Sequence, residues 1–231
     1  MCPGHGVNID PSKSQCHSSW YGLYNYPEEA SLLTEHNKVA VAMAAAQNNS
    51  LLVYSGSATS SDAGDRSEAS SYMDIAAYEN WWGAQDVGNR AFTERYALDS
   101  LQNMVYSLGE YRRRLGYYPE RFIVVGWAFK AERYLMHARD IAWCRDFIYV
   151  RINNPPEENG ILSSALAGES QKRLALISDP YLRGYKWTCQ RETRNPFCYE
   201  EPYSQDVPEL APFINFLKGK GGYVEPPWNR E

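Results

Sequence analysis

Leu51-Leu52-Val53-Tyr54 is an apolar run that stops abruptly at Ser55-Gly56-Ser57-Ala58-Thr59. A polar loop follows, and the chain resumes at Gly64-Asp65-Arg66-Ser67-Glu68-Ala69 with the composition of a helix start. A short apolar run bounded by turn residues reads as a buried strand. A buried strand feeding a small-residue loop and a helix amino end is how open α/β sheets build ligand sites. This one stretch therefore points to a parallel sheet with helices packed on it, and to the place where chemistry can sit.

The rest of the chain repeats the pattern. Apolar positions recur at helical spacing over residues 28–48, 66–82, 97–115, 130–142 and 163–177. Residues 90–94, 121–126 and 147–152 read as further strands. In 97–115 the residues Leu98, Leu101, Val105, Leu108 and Leu115 form one stripe, and Gly116 is a fitting stop. Strands alternating with helices of this length predict a Rossmann-like three-layer α/β/α sandwich with a mostly parallel sheet. Residues 1–178 are read as that domain. Residues 179–231, rich in Pro, Tyr, Trp and Arg, are read as an ordered, aromatic-rich C-terminal extension packed on it.

Composition narrows the function classes. Net charge is −5 and no long basic run occurs, so nucleic acid is not an expected partner. No run approaches the roughly 18 apolar residues of a membrane span, and no signal peptide is visible. The five cysteines (Cys2, Cys16, Cys144, Cys189 and Cys198) form neither a CxxC nor an even set, which fits a reducing cytoplasm. The four histidines have no metal-binding spacing and no nucleophile elbow is present, so neither a metal site nor a serine hydrolase is expected.

Read together, several segments resemble a known family. Ser55, Gly56, Ser57 and Thr59 after a strand, then Ser67, Glu68 and Ala69, then Glu94, Ala97, Asp99, Ser100 and Asn103 are similar in order and spacing to the YdcF/SanA/ElyC-like family, domain of unknown function 218. His5, Trp20, Glu29 and His36, then Phe129, Lys130 and Arg133, and a late Asp179-Pro180-Tyr181 with Arg191, Arg194, Asn195 and Pro196 resemble its soluble fungal-type branch. The likeness spans nearly the whole chain. Two departures stand out: Ser57 replaces a second glycine, and the first strand before His5 is either lost or shortened. The resemblance implies a Rossmann-like fold with its site at the strand carboxyl ends. It also implies association with S-adenosylmethionine, envelope biogenesis or, in fungi, small-molecule pathways.

Candidate site residues follow from their position after strands. Ser55, Gly56, Ser57 and Thr59 can offer hydroxyls and backbone amides to an anion; the plain alternative is a tight turn. Glu68 opens a helix, where the dipole alone explains a carboxylate. Arg66 in a first turn needs either a carboxylate partner or an anionic ligand. Glu94 can act as a base, bind a ribose hydroxyl or pair with Arg95 or Arg133. Asp99 and Asn103 share a helix face, with capping as the alternative for Asp99. Lys130, Arg133, Arg191 and Arg194 can clamp a phosphate or carboxylate.

The expected function is an enzyme acting on a small anionic or nucleotide-like ligand, with Glu68, Glu94 and His5 as acid/base residues. A small-molecule biosynthetic pathway is its expected setting. The alternative is a regulatory module that binds S-adenosylmethionine or a nucleotide without turnover. A third reading makes the extension a packing element of a partner-binding protein.

Overall fold

The computed structural model describes residues 1–24, 26–143 and 145–229; Cys144, Asn25 within the early aromatic stretch and the last two residues of the extension lie outside the described residues. Five strands form the frame: β1 (Cys2–Pro3), β4 (Leu52–Ser55), β5 (Ala91–Glu94), β6 (Arg121–Gly126) and β7 (Asp146–Arg151). β1, β4 and β5 are hydrogen-bonded in parallel, as are β6 and β7. Met1 joins the two sets: its amine donates to the Ile123 carbonyl at 2.7 Å, and its carbonyl accepts from the Val125 N–H at 3.0 Å. The strand order is thus β5-β4-β1-β6-β7, the doubly wound order of a Rossmann-like sheet.

The first strand is present and two residues long. Its centre position makes it the switch point, because the chain leaves β1 for β4 on one side and reaches β6 on the other. In such sheets a crevice opens beyond the carboxyl ends at that point. An antiparallel pair, β2 (Val7–Asn8) and β3 (Trp20–Tyr21), sits just after β1. Segments this short carry no period for sequence reading to detect.

Successive strand residues serve opposite faces. Phe122 and Val124 of β6 join one buried cluster, while Val125 joins the other. Helices α1 (Glu29–Ala45) and α2 (Glu68–Tyr78) cover the second cluster with Leu33, Val41, Tyr72 and Ile75. Tyr54 donates to Asn37 Oδ1 at 2.6 Å and Asn37 Nδ2 donates to the Tyr72 carbonyl at 2.6 Å, which pins β4, α1 and α2 together without an unpaired polar group in that chain.

Helix α3 (Ser100–Leu115) lies on the other face with α4 (Ala131–Asp140). Asp99 caps α3 through the Gln102 N–H at 2.8 Å, and Gly116 ends it in the left-handed region at φ 79°. The stripe read in the sequence faces inward through Leu101, Val105 and Leu108, whereas Leu115 is exposed.

Helix α5 (Ile161–Ser178) packs on α4. The extension folds into α6 (Tyr185–Thr193), α7 (Tyr203–Asp206) and α8 (Ala211–Leu217). It contributes Tyr203, Leu210, Phe213 and Trp228 to the same cluster as α3. Trp228 is 1% exposed, and its indole N–H donates to the Ile141 carbonyl at 3.0 Å. Gly109 shows how closely the two fit: a Cβ there would lie 3.0 Å from the Tyr203 ring.

Candidate functional site

A crevice of about 270 Å³ opens beyond the carboxyl ends of β1, β4 and β6. Its walls come from the loop after β1, the start of α2, the start of α3, the Ala128–Lys130 turn with α4, and helices α5 and α6. A larger cavity of about 560 Å³ lies at the opposite edge, between Leu51–Val53 and Arg121–Ile123. Among its described lining residues the charged ones are Glu120, Arg121 and Asp146, and the last two pair with each other. The smaller crevice holds the concentrated chemistry and sits where α/β sheets bind ligands.

His5, Thr59, Glu68, Asp99, Asn103, Lys130, Arg133 and Arg194 all line this crevice. Ser55, Gly56, Ser57, Arg66, Glu94 and Arg191 do not. The reasons differ, and each is local.

The Ser55–Ser57 turn does not present its amides to a ligand. The Gly56 N–H donates to the Glu94 carbonyl at 3.0 Å and the Ser57 N–H to the Ala97 carbonyl at 2.9 Å. In return, Ser57 and Gly56 carbonyls accept from Glu68 and Ala69 at the start of α2. The turn is a brace between β5 and α2. Its product is a fixed Glu68. Thr59 Oγ1 donates to Glu68 Oε1 at 2.8 Å. Gly56, at φ 147°, and Gly4 lie so close that a Cβ on either would come within 2.6 Å of the Glu68 side chain. Only glycine allows both approaches. Burial raises the Glu68 carboxyl above its usual range, opposed by the Thr59 hydroxyl and the charges of Arg194 and Lys130.

Glu94 is fully buried beneath the crevice. Its Oε2 accepts from Ser55 Oγ, and its Oε1 accepts from the Tyr96 and Ala97 amides at 2.7 and 3.1 Å. Burial pushes it up to about 7 despite these bonds. It holds the loop that carries Asp99 and has no free oxygen edge for a ligand. Arg66 donates to the Asn8 carbonyl and to Asp74, away from the crevice. Arg191 is buried against Asp99 Oδ2, so Asp99 spends one oxygen on the helix cap and the other on Arg191. Burial would raise Asp99, and the Arg191 guanidinium overrides it to hold the carboxyl low.

The basic wall is built around Glu169, a buried residue of α5. Arg133 grips it with two bonds, 2.7 and 3.0 Å, and Lys172 adds a third at 3.1 Å. Against the upward push of burial, Arg133 and Lys172 hold Glu169 down to about 2. Arg194 donates to the Leu98 carbonyl at 3.0 Å. Lys130 differs: it lines the crevice, and its Nζ makes no hydrogen bond or ion pair among the described residues. Burial, then the neighbouring Arg133, lowers it to about 7.

His5 faces the crevice from the loop after β1. Its Nε2 lies 3.3 Å from Glu29 Oε1, and the Glu29 side chain is 0% exposed. Burial drives the two in opposite directions: His5 well below its usual value, with Lys130 adding to the effect, and Glu29 up to about 7. Burial thus disfavours the charged form of each. Glu169 and Lys172 are not among the residues the sequence singles out, and Glu29 enters there only through the resemblance. A helix-borne charge looks like a solvated face, and only Glu169 and Lys172, three apart, left a faint pairing signal.

Among the described residues no group of His, Cys, Asp and Glu is placed to hold a metal, and no helix is long and apolar enough to cross a membrane. Cys2, Cys16, Cys189 and Cys198 are free thiols, and burial pushes Cys2 up to about 12, which disqualifies it as a nucleophile.

The fold and crevice define an α/β protein with a crevice lined by basic residues at the sheet's switch point. The chain is similar to an uncharacterized protein of Saccharomyces cerevisiae, YOR238W: 25% identical over 217 residues, spanning 75% of this chain and 69% of that one. No family model and no solved structure matches the chain.

Two outcomes follow. Glu94→Gln loses about 1–3 kcal/mol of stability through its weakened loop bonds, yet keeps anion affinity within about twofold; a collapse of affinity at unchanged stability would return Glu94 to the site. Glu29, pushed up to about 7 in the fold, returns to the ordinary glutamate value of 4.5 when unfolded. Between those values the native state binds the extra proton and loses stability as pH rises. Glu29→Gln removes that loss. Urea titrations should show the variant gaining about 3 kcal/mol relative to the parent between pH 4.5 and 7.5; a pH-independent difference would contradict the raised carboxyl.

Proposed function

We propose that the crevice binds a small anionic molecule through a phosphate or carboxylate group and acts on it with Glu68 and His5 as acid/base residues. One observation carries this reading. Every other basic side chain of the wall has a protein acceptor, and the Lys130 amine has none among the described residues. A half-buried cation without a counter-ion is unfavourable unless an anion completes it. Arg133, Lys172 and Arg194 surround it and favour the same ligand charge.

Glu68 and His5 stand on the other wall. A carboxyl raised by burial and an imidazole kept neutral are suited to give and take a proton near pH 7. The YdcF-like assignment belongs to the same proposal. Its support is that His5, Thr59, Glu68, Asn103, Lys130 and Arg133, taken from separate segments, meet in one crevice. Helix α6 closes one side through Trp187 and Gln190, with Arg194 just past its end, and restricts water.

Thermal denaturation with inorganic phosphate tests the reading, with nucleotides and S-adenosylmethionine as parallel arms. A ligand at about 100 times its Kd stabilises by about 2.7 kcal/mol, which is several degrees for a chain of this size at about 2–4 °C per kcal/mol. Lys130→Ala should melt no lower than the parent and lose the phosphate increment. Stabilisation that survives in Lys130→Ala would contradict the site.

A further inference from the structure

We propose that Lys130 is a nucleophilic amine that condenses with the carbonyl group of a small anionic aldehyde or keto acid held in the crevice. The inference rests on the anion site just described and goes beyond it by naming the reacting atom and the substrate class.

The geometry supplies three parts. The first is an amine with no hydrogen-bond or ion-pair partner among the described residues. Lys130 ends the Ala128–Lys130 turn and lines the crevice; its Nζ lies 5.6 Å from the Phe129 ring centroid, and Glu169 is taken by two bonds from Arg133 and one from Lys172. An amine that is desolvated and set beside other cations gives up its proton, and the neutral form is the nucleophile. Its lowered titration agrees.

The second part is an anchor. Arg133, Lys172 and Arg194 lie on the same wall, so the charged end of a substrate can be held while its carbonyl carbon meets Nζ. The third is a proton carrier. Glu68 lines the crevice with its carboxyl fixed by Thr59 and by the close backbones of Gly4 and Gly56.

The step balances without oxidant or reductant. The Nζ lone pair forms the C–N bond, and the carbonyl π pair moves to oxygen, which takes the proton of the Glu68 carboxylic acid. The nitrogen returns a proton to the Glu68 carboxylate. The resulting carbinolamine expels water as Glu68 protonates its hydroxyl, leaving a protonated imine. Amine, carbonyl and one proton become iminium and water.

The full chain treated with glyoxylate and sodium cyanoborohydride at pH 7 tests this, since the hydride reduces any imine to a stable carboxymethyl-lysine. Peptide mass mapping should find Lys130 marked at least about tenfold faster than the exposed Lys38, Lys186 and Lys220, given the larger neutral fraction of an amine near 7. Inorganic phosphate should slow marking at Lys130 and leave the three surface lysines unchanged. Lys130→Arg should lose the mark while the three surface lysines are marked as in the parent. Marking of Lys130 no faster than the surface lysines would overturn the proposal. If phosphate still stabilises the chain in that case, the anion site stands and only the amine chemistry falls; if it does not, both fall.

Discussion

Glu169 sets the charge of the crevice, and most of the site's behaviour depends on it. It is buried, it takes two bonds from Arg133 and one from Lys172, and it ties α5 to α4. A buried carboxylate of this kind is costly unless fully paired, and breaking such a pair costs about 3–5 kcal/mol. Its saturation is what isolates Lys130. One carboxylate among Lys130, Arg133, Lys172 and Arg194 leaves a surplus of positive charge facing the cavity. Burial depresses His5 and Lys130 alike, and the neighbouring cations add to it in both.

On the other wall the backbone does the positioning. The Ser-Gly-Ser turn looks like an anion cradle in the sequence, but it spends its amides on β5 and on the loop before α3. What it delivers is Glu68, wedged over Gly4 and Gly56 and fixed by Thr59. The Ser57 position, where a second glycine was expected, has its side chain fully buried away from the cavity, so it never meets a ligand. The switch-point geometry of the sheet puts these two walls across from each other, and the extension closes the third side with α6.

The sheet and its helices were legible because their signals are local and periodic. The apolar runs at residues 51–54 and 121–126 and the stripe of α3 can be read without knowing what they touch. Two-residue strands β1, β2 and β3 cannot, since a ladder that short is defined by its neighbours. The site was legible to the extent that it follows strand ends: His5, Thr59, Glu68 and Lys130 reach the cavity for that reason. Partner choice was not. Glu94 is consumed by the amides of Tyr96 and Ala97, Arg66 by Asp74, and Arg191 by Asp99 across 92 residues of chain. Glu29 and Glu169 sit on helices, where an acidic residue ordinarily faces water, and only the tertiary packing turns them inward.

The most direct measurement is the titration of the Lys130 side chain itself, followed by NMR of its ε-methylene with and without inorganic phosphate. A midpoint near 7 that moves upward when phosphate is added is the expected result, because an anion supplies the missing counter-ion. A midpoint near the ordinary lysine value of about 10.4, unmoved by phosphate, would contradict an unpaired amine at the heart of the crevice.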